Sequence, residues 1–448
     1  MRDYQSRQFN DGYGRGRENW RENVYERDYQ HHDDRDYQYH DRRRNRFDDK
    51  RRQARHPDTY DSRDERYGRD RHRYDPREFT DRRPTRRESW VERSRGRSRS
   101  RSRSSSCDSE GHISSRIDRI TDRFLVEKQL DKGTFGAVFR AYDRKHRDVV
   151  AIKVVRRVKR YVEDALIEVN ILEKLCRMDK EGRFCVQMYK CFHYDHHFCI
   201  VTELLGKSLY LALKNQKHRP RPGVRPNTLR IISKQLCECM QFLREAGLIH
   251  ADLKTENVLL QHPDMTLDDP NPRVKLIDFG AATWDEDDHG TIIQTRHYRA
   301  PEVVLGLPWT FPCDMWSIAC IILELREGVL TFDTHDTAQH LAMMERLSGP
   351  IPVAMARNAD HGAEDLFDRD HWRLRWPELS GGERGRKRDY RAENEVERVR
   401  ALTERLSDDA LLRDMLVPMF HIDPSLRLTP RDALSSPYFT SSLTSLAN

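Results

Sequence analysis

The sequence predicts an α+β protein: a small strand-rich lobe, then a larger helical lobe, behind a long disordered tail. Three observations predict it. As far as Gly111, Met1, Val24 and Val91 are the only Met, Val, Leu or Ile residues. Between Arg123 and Arg157, apolar residues alternate with polar ones and two glycines interrupt the pattern, as in paired strands. From Thr228 onward, apolar residues recur at helical spacing in long runs.

The tail comes first. A stretch such as DRDYQYHDRRRNRFDD cannot bury enough apolar surface to offset its ordering entropy. Residues 1–118 are therefore expected to be disordered, with folded character beginning near Ile113. Residues 1–112 carry 31 Lys and Arg against 24 Asp and Glu, a net of +7 that equals the net charge of the whole chain. The rest is neutral, so all of the basic excess lies in the tail. A basic tail suits RNA, acidic partners or nuclear import receptors, and a solvated spacer is the plainer reading. Its tyrosines weigh against a pure spacer, because aromatic rings stack on bases and on arginine. Residues 94–106, SRGRSRSRSRSSS, alternate Arg with Ser. The nine cysteines are odd in number and lack zinc spacing, which reads as reduced thiols of an intracellular protein. No signal peptide is read at the start. The most apolar run, MWSIACIILEL (315–325), is too short to span a bilayer and reads as a buried helix, so no membrane association is expected.

The elements follow in order. RFLVEKQLDKGTFGAVFRAYDRKHRDVVAIKVVRR (123–157) reads as three strands, the first two joined by a turn holding Gly133 and Gly136. Backbone amides there could approach a phosphate unobstructed, although many plain hairpins hold two glycines. In VAIK, Lys153 sits in a buried-looking strand and needs a counter-ion. RYVEDALIEVNILEKLCRM (160–178) reads as a helix whose Glu168 shares an apolar face with Ala165, Val169 and Leu172. Both anomalies resolve if Lys153 and Glu168 pair, in a site or as a simple bridge between elements. HHFCIVTELL (196–205) is strand-like, and TLRIISKQLCECMQFLREAG (228–247) is a helix stopped by Gly247. The folded region, 119–448, thus divides into a strand-rich lobe, 119–205, and a helical lobe, 206–448. A cleft at such a junction is a place for a ligand.

LIHADLKTENVLL then places Asp252, Lys254 and Asn257 at short fixed spacing, and VKLIDFGAAT places Asp278 just before Phe279 and Gly280. Such groups on apolar flanks suit a polyanion and its metal. The motifs run in order through Gly133 and Gly136, Lys153, Glu168, H-x-D-L-K-x-x-N, DFG, RAPE (299–302), DMWS (314–317) and RLTP (427–430). On these residues the sequence resembles the eukaryotic protein kinase family.

The resemblance implies a bilobal kinase fold and the cofactors ATP and Mg2+. It implies that Lys153 holds the α- and β-phosphates and is oriented by Glu168, and that Asp278 and Asn257 hold the metal. Asp252 would take or orient the substrate hydroxyl proton, and Lys254 would neutralise the transferred phosphoryl group. The implied nucleotide pocket comprises Leu130, Gly133, Thr134, Phe135, Gly136, Val138, Ala151, Lys153, Thr202, Glu203 and Leu205. Glu302 with Arg427 would form a buried ion pair, and Asp314 would brace the catalytic loop.

Read alone, HLAMMERLSGP (340–350) is an amphipathic helix with Leu341, Met344 and Leu347 inward. All six letters of LAMMER are present, with TRHYRAPE (295–302) and ELLG (203–206), so the chain resembles the LAMMER, or CDC2-like, dual-specificity kinases. That resemblance implies Arg/Ser-rich splicing factors as substrates, a role in pre-mRNA splicing, autophosphorylation on Ser, Thr and Tyr, and a nuclear location, with the cytoplasm left open. Ser98, Ser100, Ser102 and Ser104 then look like a copy of the substrate, for autophosphorylation or docking. An RNA-binding protein would carry an RNP1-like stretch, and none is present, so no direct nucleic-acid module is expected. An inactive scaffold would be expected to lose Lys153, Asp252 or Asp278, and all three are kept.

Several positions depart from the family pattern. Asp131 replaces the first glycine of the phosphate loop, and Ala251 replaces the arginine of H-R-D, so activity should not need an activation-loop phosphate. Thr202 stands at the gatekeeper, where relatives carry Phe. The insert between Asn257 and Asp278 is short, and Ala319 replaces a glycine. The acids of WDEDDHG (284–290) suit substrate arginines, or are a solvated loop.

Overall fold

Period-two alternation in the first part of the folded chain becomes one antiparallel sheet. Its strands are β1 (Arg119–Ile120), β2 (Phe124–Gly133), β3 (Gly136–Asp143), β4 (Asp148–Val155), β5 (Met188–Tyr194) and β6 (His197–Glu203), in the order β1-β2-β3-β4-β6-β5. In β4, Val150, Ile152 and Val154 point into a core with Phe124, Phe139, Ala141 and Val201. The alternate residues, Ala151 and Lys153, therefore lie on the other face, where Val138 of β3 is the cross-strand neighbour of Lys153. Sequence reading found β2, β3, β4 and β6 and missed two strands. β1 is only two residues long, and a register shift between Met188 and Lys190 breaks the alternation of β5.

The computed structural model describes residues 111–113, 117–216, 223–287, 290, 292–360, 362–381 and 388–441. The tail expected to be disordered, with its Arg/Ser repeat, lies outside these residues up to 110, as does Asp288 of the acidic stretch.

Helix α1 (Lys159–Met178) lies against the sheet by the face predicted for it. Ala165 and Val169 pack with Val155, Cys191, Phe198 and Ile200, while Ile171, Leu172 and Leu175 join the larger core of the helical lobe. This helix thus contributes to both cores. In the helical lobe, α2 (Leu209–Lys214) precedes α3 (Pro226–Ala246), which starts on a proline two residues before the run read from Thr228 and ends, as the sequence predicts, at Gly247, here in the left-handed conformation (φ 75°).

Two small antiparallel pairs carry the loops of the cleft: β7 (Leu248–Ile249) with β10 (Thr283–Trp284), and β8 (Val258–Leu260) with β9 (Val274–Leu276). Between β8 and β9, residues 261–273 form turns and no strand, in keeping with a short insert. Then come α4 (Pro301–Val304), α5 (Pro312–Glu327) and α6 (Thr337–Ser348), and shorter helices as far as Pro437–Thr440. Every residue of α5 from Cys313 to Leu325 is buried, which explains its apolar sequence, and Ala319 is fully enclosed. Among the described residues no helix is long and apolar enough to cross a membrane. In α6, Leu341, Met344 and Leu347 are buried as predicted, but so are His340, Ala342 and Met343, because the helix is enclosed on more than one side.

Candidate active site

The turn between β2 and β3 needs its glycines for different reasons. A Cβ on Gly136 would sit 2.3 Å from the carbonyl oxygen of Val154, so the neighbouring strand alone demands glycine there. Gly133 has open space around it. The tip is tied down: Arg156 donates to the carbonyl oxygen of Thr134 (2.9 Å), and the Phe135 ring meets Tyr161 of α1 edge-on at 5.2 Å. Leu130 is a large apolar side chain 44% exposed. The carboxylate of Asp131 accepts the backbone N–H of the next residue, Lys132 (2.8 Å).

Lys153 leaves the inner face of β4 and meets Glu168 of α1. Its Nζ lies 2.9 and 3.2 Å from the two Glu168 carboxylate oxygens and 3.4 Å from Asp278 Oδ1. Burial works against the charge on Lys153, but Glu168 and Asp278 outweigh it and hold the ammonium above the ordinary lysine range. Burial raises Glu168, which is 5% exposed, against the opposing pull of Lys153. The Lys153 charge, set against burial, lowers Asp278. Asp278 follows β9 and adopts a left-handed backbone (φ 59°), and the Phe279 ring stacks at a tilt on His250, centroids 5.0 Å apart.

The second half of the site is the loop between β7 and β8. Ala251 is left-handed (φ 64°), a conformation that costs a residue with a Cβ on the order of 1–2 kcal/mol. Asp314 of α5 supports it: its carboxylate accepts the N–H groups of His250 (2.7 Å) and Ala251 (3.1 Å). Burial raises the Asp314 carboxyl, and these bonds and His250 oppose the rise. The brace expected of Asp314 is thus present as two hydrogen bonds. Asp252 Oδ1 accepts both the backbone N–H (3.1 Å) and the hydroxyl (2.7 Å) of Thr295, while Oδ2 lies 3.1 Å from Lys254 Nζ. Lys254 also donates to Thr295 Oγ1 (3.1 Å). Asn257 Nδ2 donates to the Asp252 carbonyl (2.9 Å).

The outer wall is formed where the sheet meets the helical lobe. Thr202 and Glu203 end β6 and pair with Ala151 and Val150 of β4, and Leu205 is buried just beyond. The Glu203 carboxylate is taken by Lys275 Nζ (2.6 and 2.7 Å) and by the Gln187 N–H (2.8 Å), so its side chain is spent on structure. Lys174 of α1 stands 3.6 Å above the Trp284 ring, a cation–π contact that joins the helix carrying Glu168 to the segment after DFG.

Two groups were missed by sequence reasoning. Thr295 stood in TRHYRAPE, noticed only as a subfamily mark. Glu324 stood in the buried run IILEL, where a carboxylate is itself a signal. In the structure it accepts from Tyr298 Oη (2.6 Å) and faces Thr255 Oγ1 (3.4 Å), joining α5 to both loops of the site. Burial pushes its carboxyl up to about 8, against the bonds from Tyr298 and Thr255 and helped by Glu256. A carboxyl whose folded value is raised binds more protons folded than unfolded, so its stabilising effect is lost as pH rises from about 4.5 to about 8. Glu324→Gln should flatten that part of a melting-temperature profile; an unchanged slope between wild type and variant counts against the assignment.

Comparison with known proteins accords with this geometry. The family pattern described as protein kinase domain matches residues 124–439, and the chain belongs to the protein kinase family. The serine/threonine-protein kinase AFC3 of Arabidopsis thaliana is 40% identical over 75% of this chain and 86% of its own length. The dual specificity protein kinase CLK2 of Homo sapiens is 39% identical over 74% of this chain and 67% of its own. A crystal structure of a kinase domain superposes with a TM-score of 0.67 at 32% identity, covering 74% of this chain and all of that one. Within the family the chain falls in the LAMMER, or CDC2-like, branch, with a strand-rich lobe and a helical lobe as the sequence predicts. It is a protein kinase, and the fold implies ATP and a divalent metal.

Proposed function

We propose that the chain is a Mg2+- and ATP-dependent kinase of Arg/Ser-rich splicing factors, acting on Ser and Thr and autophosphorylating Tyr, and regulating pre-mRNA splicing from the nucleus. Residues 119–448 are its catalytic domain, with lobes 119–205 and 206–448, and nuclear import receptors are partners of the basic tail. One observation carries the reading. The ammonium of Lys153, held by Glu168 and Asp278, and the carboxylate of Asp252, held by Lys254 and Thr295, are fixed by elements that meet at one cleft.

Lys153 holds the α- and β-phosphates, and Glu168 keeps its ammonium charged and aimed. The pocket residues Leu130, Val138, Ala151, Thr202 and Leu205 enclose the base, with Gly133, Thr134, Phe135 and Gly136 over the phosphates. Asp252 orients the substrate hydroxyl and takes its proton, while Lys254, beside it, offsets charge on the phosphoryl group in transfer. Thr295 fixes Asp252 through two hydrogen bonds and is a positioning residue.

The metal donors fit Mg2+. Asp278 offers a carboxylate with a 43% exposed side chain, and the Asn257 side-chain oxygen accepts no hydrogen bond from the described residues. Among the described residues no three His, Cys, Asp or Glu side chains are grouped so that they alone could hold a metal ion. Two protein oxygens with phosphate and water completing the shell is the mix Mg2+ accepts. When bound, the ion would neutralise phosphate charge.

Dual specificity and the substrate rest on likeness to the LAMMER branch, on CLK2 being named a dual specificity kinase, and on the Arg/Ser repeat of the chain itself. The test is transfer of labelled phosphate from Mg-ATP to an Arg/Ser peptide and to a twin without arginine, with Asp278→Ala as control. Transfer to the Arg/Ser peptide alone, lost in the control, is expected, with phosphotyrosine appearing on the kinase itself. Equal transfer to both peptides removes the substrate assignment, and equal signal from the control removes the site.

A further inference from the structure

Outside the cleft, the helical lobe carries a concave pocket of about 270 Å³. Three cations from three separate elements line it: Arg183 from the loop after α1, Lys234 from α3, and Arg273 from the turn before β9. All three are exposed, and none has an ion-pair partner among the described residues, although Glu238 shares the wall. No residue of the nucleotide or catalytic machinery lines this pocket.

The backbone beneath two of the cations is fixed in advance. Asp179 accepts the N–H groups of Arg183 (2.9 Å) and Phe184 (2.8 Å), and Phe184 stacks on Phe242 of α3 at 4.9 Å. Gln235 of α3 grips the turn that carries Arg273: its Nε2 donates to the Pro272 carbonyl (2.8 Å), and its Oε1 accepts the Val274 N–H (3.1 Å). The Arg183 guanidinium lies 5.2 Å from the Phe184 ring centroid. Three cations against the one carboxylate of Glu238 leave the wall with an excess of about two positive charges, which attracts an anion, and a frame fixed beforehand lowers the ordering cost of binding that anion.

We infer that this pocket docks a phosphorylated serine or threonine of a protein segment. A phosphomonoester carries about −1.5 to −2 charge and three acceptor oxygens, which answers the excess charge and the three cationic donors that line the wall. A carboxylate has one charge and two oxygens and leaves a cation unanswered. Glu238, on the same wall, disfavours a run of acids and favours a basic residue beside the phosphate. Docking here leaves the cleft free, so a phosphoprotein can be held while another of its residues is turned over.

The experiment uses the full-length chain without nucleotide. Fluorescence anisotropy compares a labelled peptide holding one phosphoserine beside arginine with its unphosphorylated twin. The phosphopeptide should bind roughly tenfold tighter or better, as expected of charge-assisted hydrogen bonds. The triple variant Arg183→Gln/Lys234→Gln/Arg273→Gln should lose that preference while keeping its melting temperature and its kcat/KM on a short peptide. The tail is identical in both proteins, so its charge cancels in the comparison. The inference is overturned if the triple variant keeps the preference or if wild type shows none. Displacement of the phosphopeptide by an equal concentration of inorganic phosphate would assign the pocket to free phosphate and overturn it as well.

Discussion

Asp252→Asn should lower kcat for peptide phosphorylation by about two to four orders of magnitude, with little change in KM for ATP or in melting temperature. The substitution is chosen to keep structure. An amide oxygen in place of Oδ1 still accepts from the N–H and hydroxyl of Thr295, and the Asp252 carbonyl still receives Asn257. What disappears is the negative charge 3.1 Å from Lys254, and with it the acceptor for a hydroxyl proton. An amide cannot take that proton at any accessible pH. Thr295→Ala supplies the contrast, because it leaves the charge and the backbone N–H bond and removes only the hydroxyl that helps aim Asp252. It should lower kcat by about tenfold, as expected for loss of a positioning group rather than of the base itself. Steady-state kinetics of the purified chain decide both. A fall of less than about tenfold for Asp252→Asn would take this carboxylate out of the chemistry.

Legibility followed physical anomaly. Lys153 and Glu168 were found because a charge on an apolar face demands a partner, and the structure puts them 2.9 Å apart. Asp314 could be placed by motif, but its two hydrogen bonds to the His250 and Ala251 amides depend on α5 running beneath the loop. Thr295 has no anomaly: a threonine in a loop is ordinary until tertiary contact brings it to a carboxylate 43 residues away. Glu324 had the anomaly, an acid inside an apolar helix, and was passed over because the run was read for hydrophobicity alone. Gly136 teaches the reverse lesson. A glycine beside a phosphate site invites a ligand-based reading, yet the carbonyl of Val154 already excludes any side chain there. Strand β5 was lost to its irregular register, since alternation is the only signal a short strand has.

Arg427→Ala should destabilise the helical lobe strongly, by about 3–5 kcal/mol. Glu302 is fully buried, and both of its oxygens are taken by Arg427, at 2.6 and 2.8 Å. The same guanidinium donates to the carbonyls of His421 (3.0 Å), Pro312 (2.9 Å) and Ile422 (3.1 Å), and lies 5.2 Å from the Trp316 ring centroid. Alanine would strand a carboxylate and three carbonyls in the interior, each needing a donor that water cannot easily supply. At roughly 2–4 °C per kcal/mol for a large domain, the melting temperature should drop by about 6–20 °C. Activity measured well below that temperature should fall too, since Glu302 lies two residues beyond Ala300, whose N–H donates to Gln294, the residue before Thr295. Removing both charges separates the two causes. Glu302→Gln/Arg427→Met relieves the stranded carboxylate but leaves the carbonyls unpaired, so it should recover only part of the loss. If Arg427→Ala melts within about 2 °C of wild type, less than one kcal/mol on the same scale, the pair is not what joins α4 to the C-terminal helices.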